Sequence, residues 1–267
     1  MSVKFCPIAS GSDGNSIYIG SDSTHILIDA GLSGKRIKEG LESAAGINCE
    51  ELDAIFITHE HSDHIQAAGI LSRRYGTLLY ASEKTWAHIN RHNLIGEVAP
   101  SKKHIVQAGE PCSLGDLSVE AFEIPHDAAG PVGYCVYLED KKITVATDIG
   151  SVTDNIREKL FGSDVILLES NHDIEMLKNG RYPAILKKRI MGDKGHLSNR
   201  MAGELLCEVM CKELKHVFLG HLSAENNMPL IAMDTVSAIL SANHIKVGKD
   251  IGLHLAQRGT FSERLEL

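Results

Sequence analysis

Residues 58–64 read "THEHSDH", so His59, His61, Asp63 and His64 fall within six positions, directly after the apolar run "LDAIFI". In an extended turn, alternate residues share one side, so His59 and His61 can reach one cation. Asp63 and His64 open the next segment and can turn toward a second cation beside the first. Imidazole mixed with carboxylate suits Zn²⁺ or Mn²⁺, with Fe²⁺ as an alternative, rather than Ca²⁺ or Mg²⁺ alone. A two-cation site needs further ligands where other strands end. His126 follows "LSVEAFEI", Asp148 ends "KITVATD" and His221 ends "KHVFLG". Singly each is an ordinary loop residue. Together they sit where α/β folds place their sites, just past buried strands.

The elements that must position these residues are legible from hydrophobic patterning. Strands are expected at 16–20, 25–30, 52–59, 117–124, 133–139, 142–148, 163–170, 215–221 and 250–256. Helices are expected at 33–44, with Ser33 as N-cap, at 62–76, stopped by Gly76, and at 198–211 and 228–242. "TLLYA" reads as a strand and "SEKTWAHINRH" as a capped helix. No Pro/Gly/Ser linker or low-complexity stretch divides residues 1–267, which predicts one domain of layered α/β architecture.

The chain has 267 residues, 43% of them apolar and 23% charged, which excludes disorder. No run of 18 apolar residues exists, and "MSVKFCPIASGSDGNS" lacks a basic segment followed by an apolar core. No membrane partner and a cytoplasmic location are therefore expected. The net charge of −8 does not suggest bulk attraction to nucleic acid, although bound cations can make an acidic site locally positive. Six cysteines are scattered without a CxxC pair. Cys207 and Cys211 lie one helical turn apart, but free cysteine is ordinarily a small buried hydrophobe.

The pattern resembles the metallo-β-lactamase-fold hydrolases, whose five motifs occur here in order across nearly the whole chain: Asp29 in "LIDAGL", then "HEHSDH", His126, Asp148 and His221. The resemblance implies a four-layer αβ/βα sandwich and two divalent metal ions. It assigns His59, His61 and His126 to one ion, and Asp63, His64 and His221 to the other, with Asp148 bridging. Asp29 would order the site loops. "ASGSDGNS", "LIDAGLSGKRI", "ESNHD", "GHLSN" and "HLSAENN" are similar to the YycJ/WalJ branch, which implies a 5′→3′ exonuclease on double-stranded DNA. Only 72 residues separate Asp148 from His221, too few for the large inserted domain of β-CASP nucleases.

Gly-His-Leu-Ser occurs twice, at 195–198 and 220–223, in different contexts. His221 closes a strand. His196 opens a helix, and with Glu169 it matches positions that ribonuclease Z-like phosphodiesterases carry between the fourth and fifth motifs. A leaving alkoxide needs a proton, and an imidazolium held by a carboxylate can donate it. A helix-capping role for His196 and a sheet-edge role for Glu169 stay open. The resemblance implies a metal-bridging hydroxide as nucleophile, oriented by Asp63 or Asp148, with His196 and Glu169 as the general-acid pair. His172 in "ESNHD" reads as a hydrogen-bonding support for the ligands. Lys187, Lys188 and Arg189, together with Ser10 and Asn15 in a Gly-rich turn, are candidates to meet phosphates. The competing functions are a small-molecule hydrolase (a cyclic-nucleotide phosphodiesterase or thioesterase), an RNA-processing nuclease and a non-catalytic binding partner.

Overall fold

The computed structural model describes residues 2–267. The strands form two seven-stranded sheets. The first contains β1 (Lys4–Ala9), β2 (Ser16–Gly20), β3 (His25–Ile28), β4 (Ala54–Phe56), β5 (Leu78–Ser82), β6 (Lys103–Val106) and β14 (Leu265–Glu266), in the order β14-β1-β2-β3-β4-β5-β6. The second contains β7 (Pro111–Leu114), β8 (Leu117–Glu123), β9 (Val132–Leu138), β10 (Lys141–Ala146), β11 (Val165–Glu169), β12 (His216–Gly220) and β13 (Gly252–Leu255), in the order β13-β12-β11-β10-β9-β8-β7. Both sheets are mixed. β3 through β6 are parallel in the first, and β10 through β13 are parallel in the second.

Nine α-helices accompany the strands among the described residues: α1 (Gly34–Gly40), α2 (Ser62–Ile65), α3 (Ala68–Tyr75), α4 (Glu83–His92), α5 (Asp154–Leu160), α6 (Ile174–Asn179), α7 (Ala184–Ile190), α8 (Asn199–Val209) and α9 (Pro229–Ala242). Ser33, Ser82, Thr153, Asp173 and Ser198 cap their helices by accepting a backbone N–H three residues on. Strands β2, β4 and β11 are buried at every residue, as expected of apolar runs covered on both faces. β8 alternates buried and half-buried residues along much of its length. The α/β sandwich expected from the sequence is the fold observed. No helix of the described residues is long and apolar enough to cross a membrane.

The chain divides into two compact units. The first comprises Met1–Phe122, Ala128–Lys141 and Gln257–Leu267, and the second comprises Glu123–Asp127 and Lys142–Ala256. In the first unit the helix expected at 62–76 is two helices. The Ala67 N–H turns away to the Ala30 carbonyl (2.8 Å), and the His64 carbonyl accepts from Ala30 N–H (2.8 Å). The break joins the "LIDAGL" loop to the histidine-rich turn. In the second unit, the paired residues Ala146, Leu168 and Leu219 lie near the carboxyl ends of parallel β10, β11 and β12. The residues that follow those strands therefore emerge at one edge.

Candidate metal centre

In the first unit the histidine-rich turn hangs on Asp29, which is 1% exposed. Its Oδ1 accepts from the Thr58 backbone N–H (2.8 Å) and its Oδ2 from the Thr58 hydroxyl (2.8 Å). His64 Nδ1 lies 2.6 Å from the same Oδ2. Burial pushes the Asp29 carboxyl above its ordinary pKa, against the pull of His64 and the Thr58 donors.

Asn15 settles the His64 tautomer. Its Oδ1 accepts from Gly11 N–H (3.0 Å), so its amide nitrogen is the atom 3.2 Å from His64 Nε2. Nε2 must accept there, which leaves the proton on Nδ1, facing Asp29. The Nε2 lone pair, which faces the Asn15 amide here, is the one a cation would take in that amide's place, 3.5 Å from Asp63 Oδ2. His59 Nδ1 is held 3.0 Å from the Thr58 hydroxyl, and its Nε2 lies 2.9 Å from His61 Nδ1. Two nitrogens on one Zn²⁺ would lie about 3.3 Å apart, given bonds of about 2.05 Å at a tetrahedral angle. The His59–His61 pair is close to that spacing.

Loop packing explains why these residues hold their places. A Cβ on Gly31 would sit 1.6 Å from the Asp63 carbonyl oxygen, so only glycine permits the approach. Asn15 N–H donates to that carbonyl (2.8 Å), and Gly31 N–H donates to the Asn15 carbonyl (2.8 Å). Ser10 Oγ lies 3.2 Å from Asn15 Oδ1. Both side chains are buried and brace the loop.

The second unit gathers Asp148, Glu169, His196 and His221, with one ligand atom from each lying within 4.8 Å of the others. Glu169 is fully buried. Its Oε1 accepts from His196 Nδ1 and from His221 Nδ1, both at 2.8 Å. Its Oε2 accepts from the backbone N–H groups of Ile149 (2.7 Å) and Leu197 (3.0 Å). Burial opposes ionisation, but His196 and His221 hold this carboxyl well below the usual range. With Nδ1 donating to a carboxylate, His221 has Nε2 as the nitrogen that could ligate a cation.

His126 is oriented likewise. Its Nδ1 lies 3.2 Å from the Gly195 carbonyl, and its Nε2 lies 3.7 Å from Asp148 Oδ1. Burial holds its pKa down, which favours the neutral ring that ligation requires. His196 differs: its side chain is 21% exposed, against 3% or less for His126, His221 and Asp148. Burial lowers its pKa, but Glu169 and Asp148 outweigh that and hold it above the ordinary value. Ser198, not His196, caps α8.

Three residues of these sets have left-handed backbones: Asp29 (φ 63°), Asp148 (φ 59°) and His221 (φ 54°). Non-glycine residues pay for that conformation, and it clusters at functional sites. Asn171 Nδ2 donates to the His221 carbonyl (2.9 Å), and Asn227 Nδ2 donates to the Ser170 and Asn171 carbonyls (2.8 and 3.1 Å). Sequence reasoning did not single out Thr58, Asn171 or Asn227, although all three lie in or beside the motifs it used. It also passed over Asp127, which pairs with Arg189 and lies 3.4 Å from His126 Nε2. His172 is buried, and burial brings its pKa down to about 4. Lys187 and Lys188 lie on α7, where the Lys187 ammonium donates to the Lys178 carbonyl (2.7 Å).

Histidine nitrogens with tautomers set by carboxylate, carbonyl or hydroxyl partners, beside buried carboxylates, form a donor set that fits divalent cations. Residues 24–222 match the Beta-lactamase superfamily domain, and the chain belongs to that superfamily. It is 41% identical over 254 residues to Exodeoxyribonuclease YycJ of Bacillus anthracis, covering 95% of both chains. It is 42% identical over 253 residues to Exodeoxyribonuclease WalJ of Streptococcus pneumoniae serotype 2, covering 94% of this chain and 93% of the relative. Among solved structures, the metallo-beta-lactamase fold protein YhfI from Bacillus subtilis superposes with a TM-score of 0.74 over 100% of both chains, at 15% identity. That likeness concerns the fold.

Proposed function

We propose that this chain is a dinuclear metal-dependent phosphodiesterase acting as a 5′→3′ exonuclease on double-stranded DNA. The observation that carries the substrate class is the identity of 41–42%, over 94–95% of the chain, to two exodeoxyribonucleases. The ligand assignment follows the superfamily pattern. His59, His61 and His126 would hold one cation, and Asp63, His64 and His221 the other, with Asp148 shared. Zn²⁺ or Mn²⁺ suits the donors better than Mg²⁺ alone. Bound cations would neutralise phosphate charge and lower the pKa of water.

The protein's own residues supply the rest. Asp29 and Glu169 fix the ring orientations of His64 and His221. His196 Nδ1 donates to Glu169, so the second proton of the imidazolium sits on Nε2, the nitrogen that would deliver it to the leaving alkoxide. Glu169 and Asp148 hold its pKa above the ordinary histidine value, which favours the protonated ring that a general acid needs.

The test is incubation of the purified protein, with Mn²⁺ or Zn²⁺, with end-labelled duplex DNA, single-stranded DNA, RNA and bis(p-nitrophenyl) phosphate. Progressive release of nucleotides from the 5′ end of the duplex is expected. Hydrolysis of the small ester without cleavage of any polymer would refute the nuclease assignment, and preferential cleavage of RNA would reassign the substrate.

A further inference from the structure

Helix α7 is the one α-helix among the described residues with no buried residue. Seven residues rarely hold a helix by propensity alone, and this one lacks an apolar face against the core. It instead shows Ile185 (82% exposed), Lys188 and Met191 (47% exposed) at spacing i, i+3, i+6, a single outward ridge in which a cation lies between two apolar side chains. The surrounding segment 178–194 carries Lys178, Arg181, Lys187, Lys188, Arg189 and Lys194 against one acid, Asp193, in a chain of net charge −8.

The helix is tied to candidate site residues. His196 N–H donates to the Ile190 carbonyl at the end of α7 (3.0 Å). A Cβ on Gly195 would lie 2.1 Å from that carbonyl oxygen, so the turn from α7 to His196 is tightly folded. Arg189 pairs with Asp127, whose own N–H donates to the Lys194 carbonyl (3.1 Å) beside His126. The ion pair and the backbone bond fasten the carboxyl end of α7, while Arg181, Ile185 and Lys188 stay exposed.

We infer that the exposed ridge of α7, with Arg181, is the surface on which the DNA duplex docks, its cations on phosphates and Ile185 and Met191 against the sugars. This rests on the nuclease assignment above and names the part of the chain that grips the polymer. With Lys178 paired to Glu175 and Arg189 to Asp127, Arg181, Lys187, Lys188 and Lys194 remain as a local cationic island on an acidic protein, the complement of a polyphosphate backbone. Its apolar residues would add contacts that a free phosphate or a small ester cannot reach. The surface would position substrate without touching the reacting atoms.

The test compares wild type with Arg181→Gln, Ile185→Ala and Lys188→Gln, on duplex DNA from 50 to 200 mM salt. Arg181→Gln and Ile185→Ala should raise KM for duplex DNA several-fold with kcat little changed, and leave hydrolysis of bis(p-nitrophenyl) phosphate at the wild-type rate. Arg181→Gln and Lys188→Gln should each lower the salt slope of binding by about 1. Unchanged KM and salt slope in all three variants, with wild type cleaving DNA normally, would overturn the docking surface and leave the nuclease assignment standing. A wild type that neither binds nor cleaves DNA would overturn both. Equal loss on the small ester would show that the variants disturb the catalytic centre and would overturn the docking role.

Discussion

Glu169 is the residue on which two roles converge. One oxygen holds both His196 and His221, and the other holds two backbone N–H groups. Substitutions at Glu169 and His196 should therefore differ in kind. His196→Ala should lower kcat on a poor leaving group by about 100-fold or more while metal content stays at the wild-type level. Glu169→Gln turns an acceptor toward groups that all donate, so it should lower metal affinity by about 10- to 100-fold as well as activity. Metal analysis beside kinetics checks the contrast; equal metal content in the two variants would refute the double role. His172 makes a separate prediction in pH. Its pKa is about 4 in the fold and about 6.5 in an unfolded chain, so between those values the unfolded state takes up the extra proton. Stability conferred by the neutral ring is complete above pH 6.5 and falls as pH falls toward 4, by about 3 kcal/mol. His172→Gln should flatten that limb in urea unfolding at pH 7 and pH 4.5. An unchanged pH difference would place the acid sensitivity elsewhere.

At the scale of elements, the parallel strands carry a large part of the positioning. Their register aligns the ends of β10, β11 and β12, so Asp148, Glu169 and His221 arrive together. Patterning made these strands legible because they are continuous apolar runs, each followed by a ligand type. The edge strand β6 and the short β7 lack such a run, since half or more of their residues reach solvent. The residues of α7 show cations and no helical periodicity in the sequence, for the same lack of an apolar face. The break between α2 and α3 was illegible because its cause is remote: the Ala30 loop captures the backbone there. Gly31→Ala tests that junction. The added Cβ would overlap the Asp63 carbonyl at 1.6 Å, and backbone cannot yield as a flexible side chain can. A loss of about 3 kcal/mol or more in denaturant unfolding is expected, with weakened metal binding because Asp63 and His64 must shift. Wild-type stability in this variant would mean that the loop has room the packing denies.

For the molecule as a whole, residue types and chain order identified the candidate ligands, but not what restrains them. The left-handed backbones of Asp29, Asp148 and His221 could not be read from residue type, since aspartate and histidine tolerate φ near 60° better than most residues yet adopt it only at a minority of positions. Asn171 holds the His221 backbone and Asn227 holds the Ser170 and Asn171 backbone, roles that the motifs "ESNHD" and "HLSAENN" do not spell out. The restraints store local strain, and buried carboxylates and imidazoles crowd within 4.8 Å, an arrangement costly to maintain without a cation. Metal binding to the folded state alone should then appear as global stability. At a free metal concentration 1,000 times Kd the gain is about 4 kcal/mol, which for a chain of this size is a rise in Tm of roughly 10 °C. Chelation should lower Tm by a similar amount and abolish phosphodiester hydrolysis, and restoring Zn²⁺ or Mn²⁺ should recover both. The same titration on His221→Ala should give a smaller shift, because one ligand is gone while Glu169 retains His196. A Tm that ignores chelator and added metal alike would refute the metal centre itself.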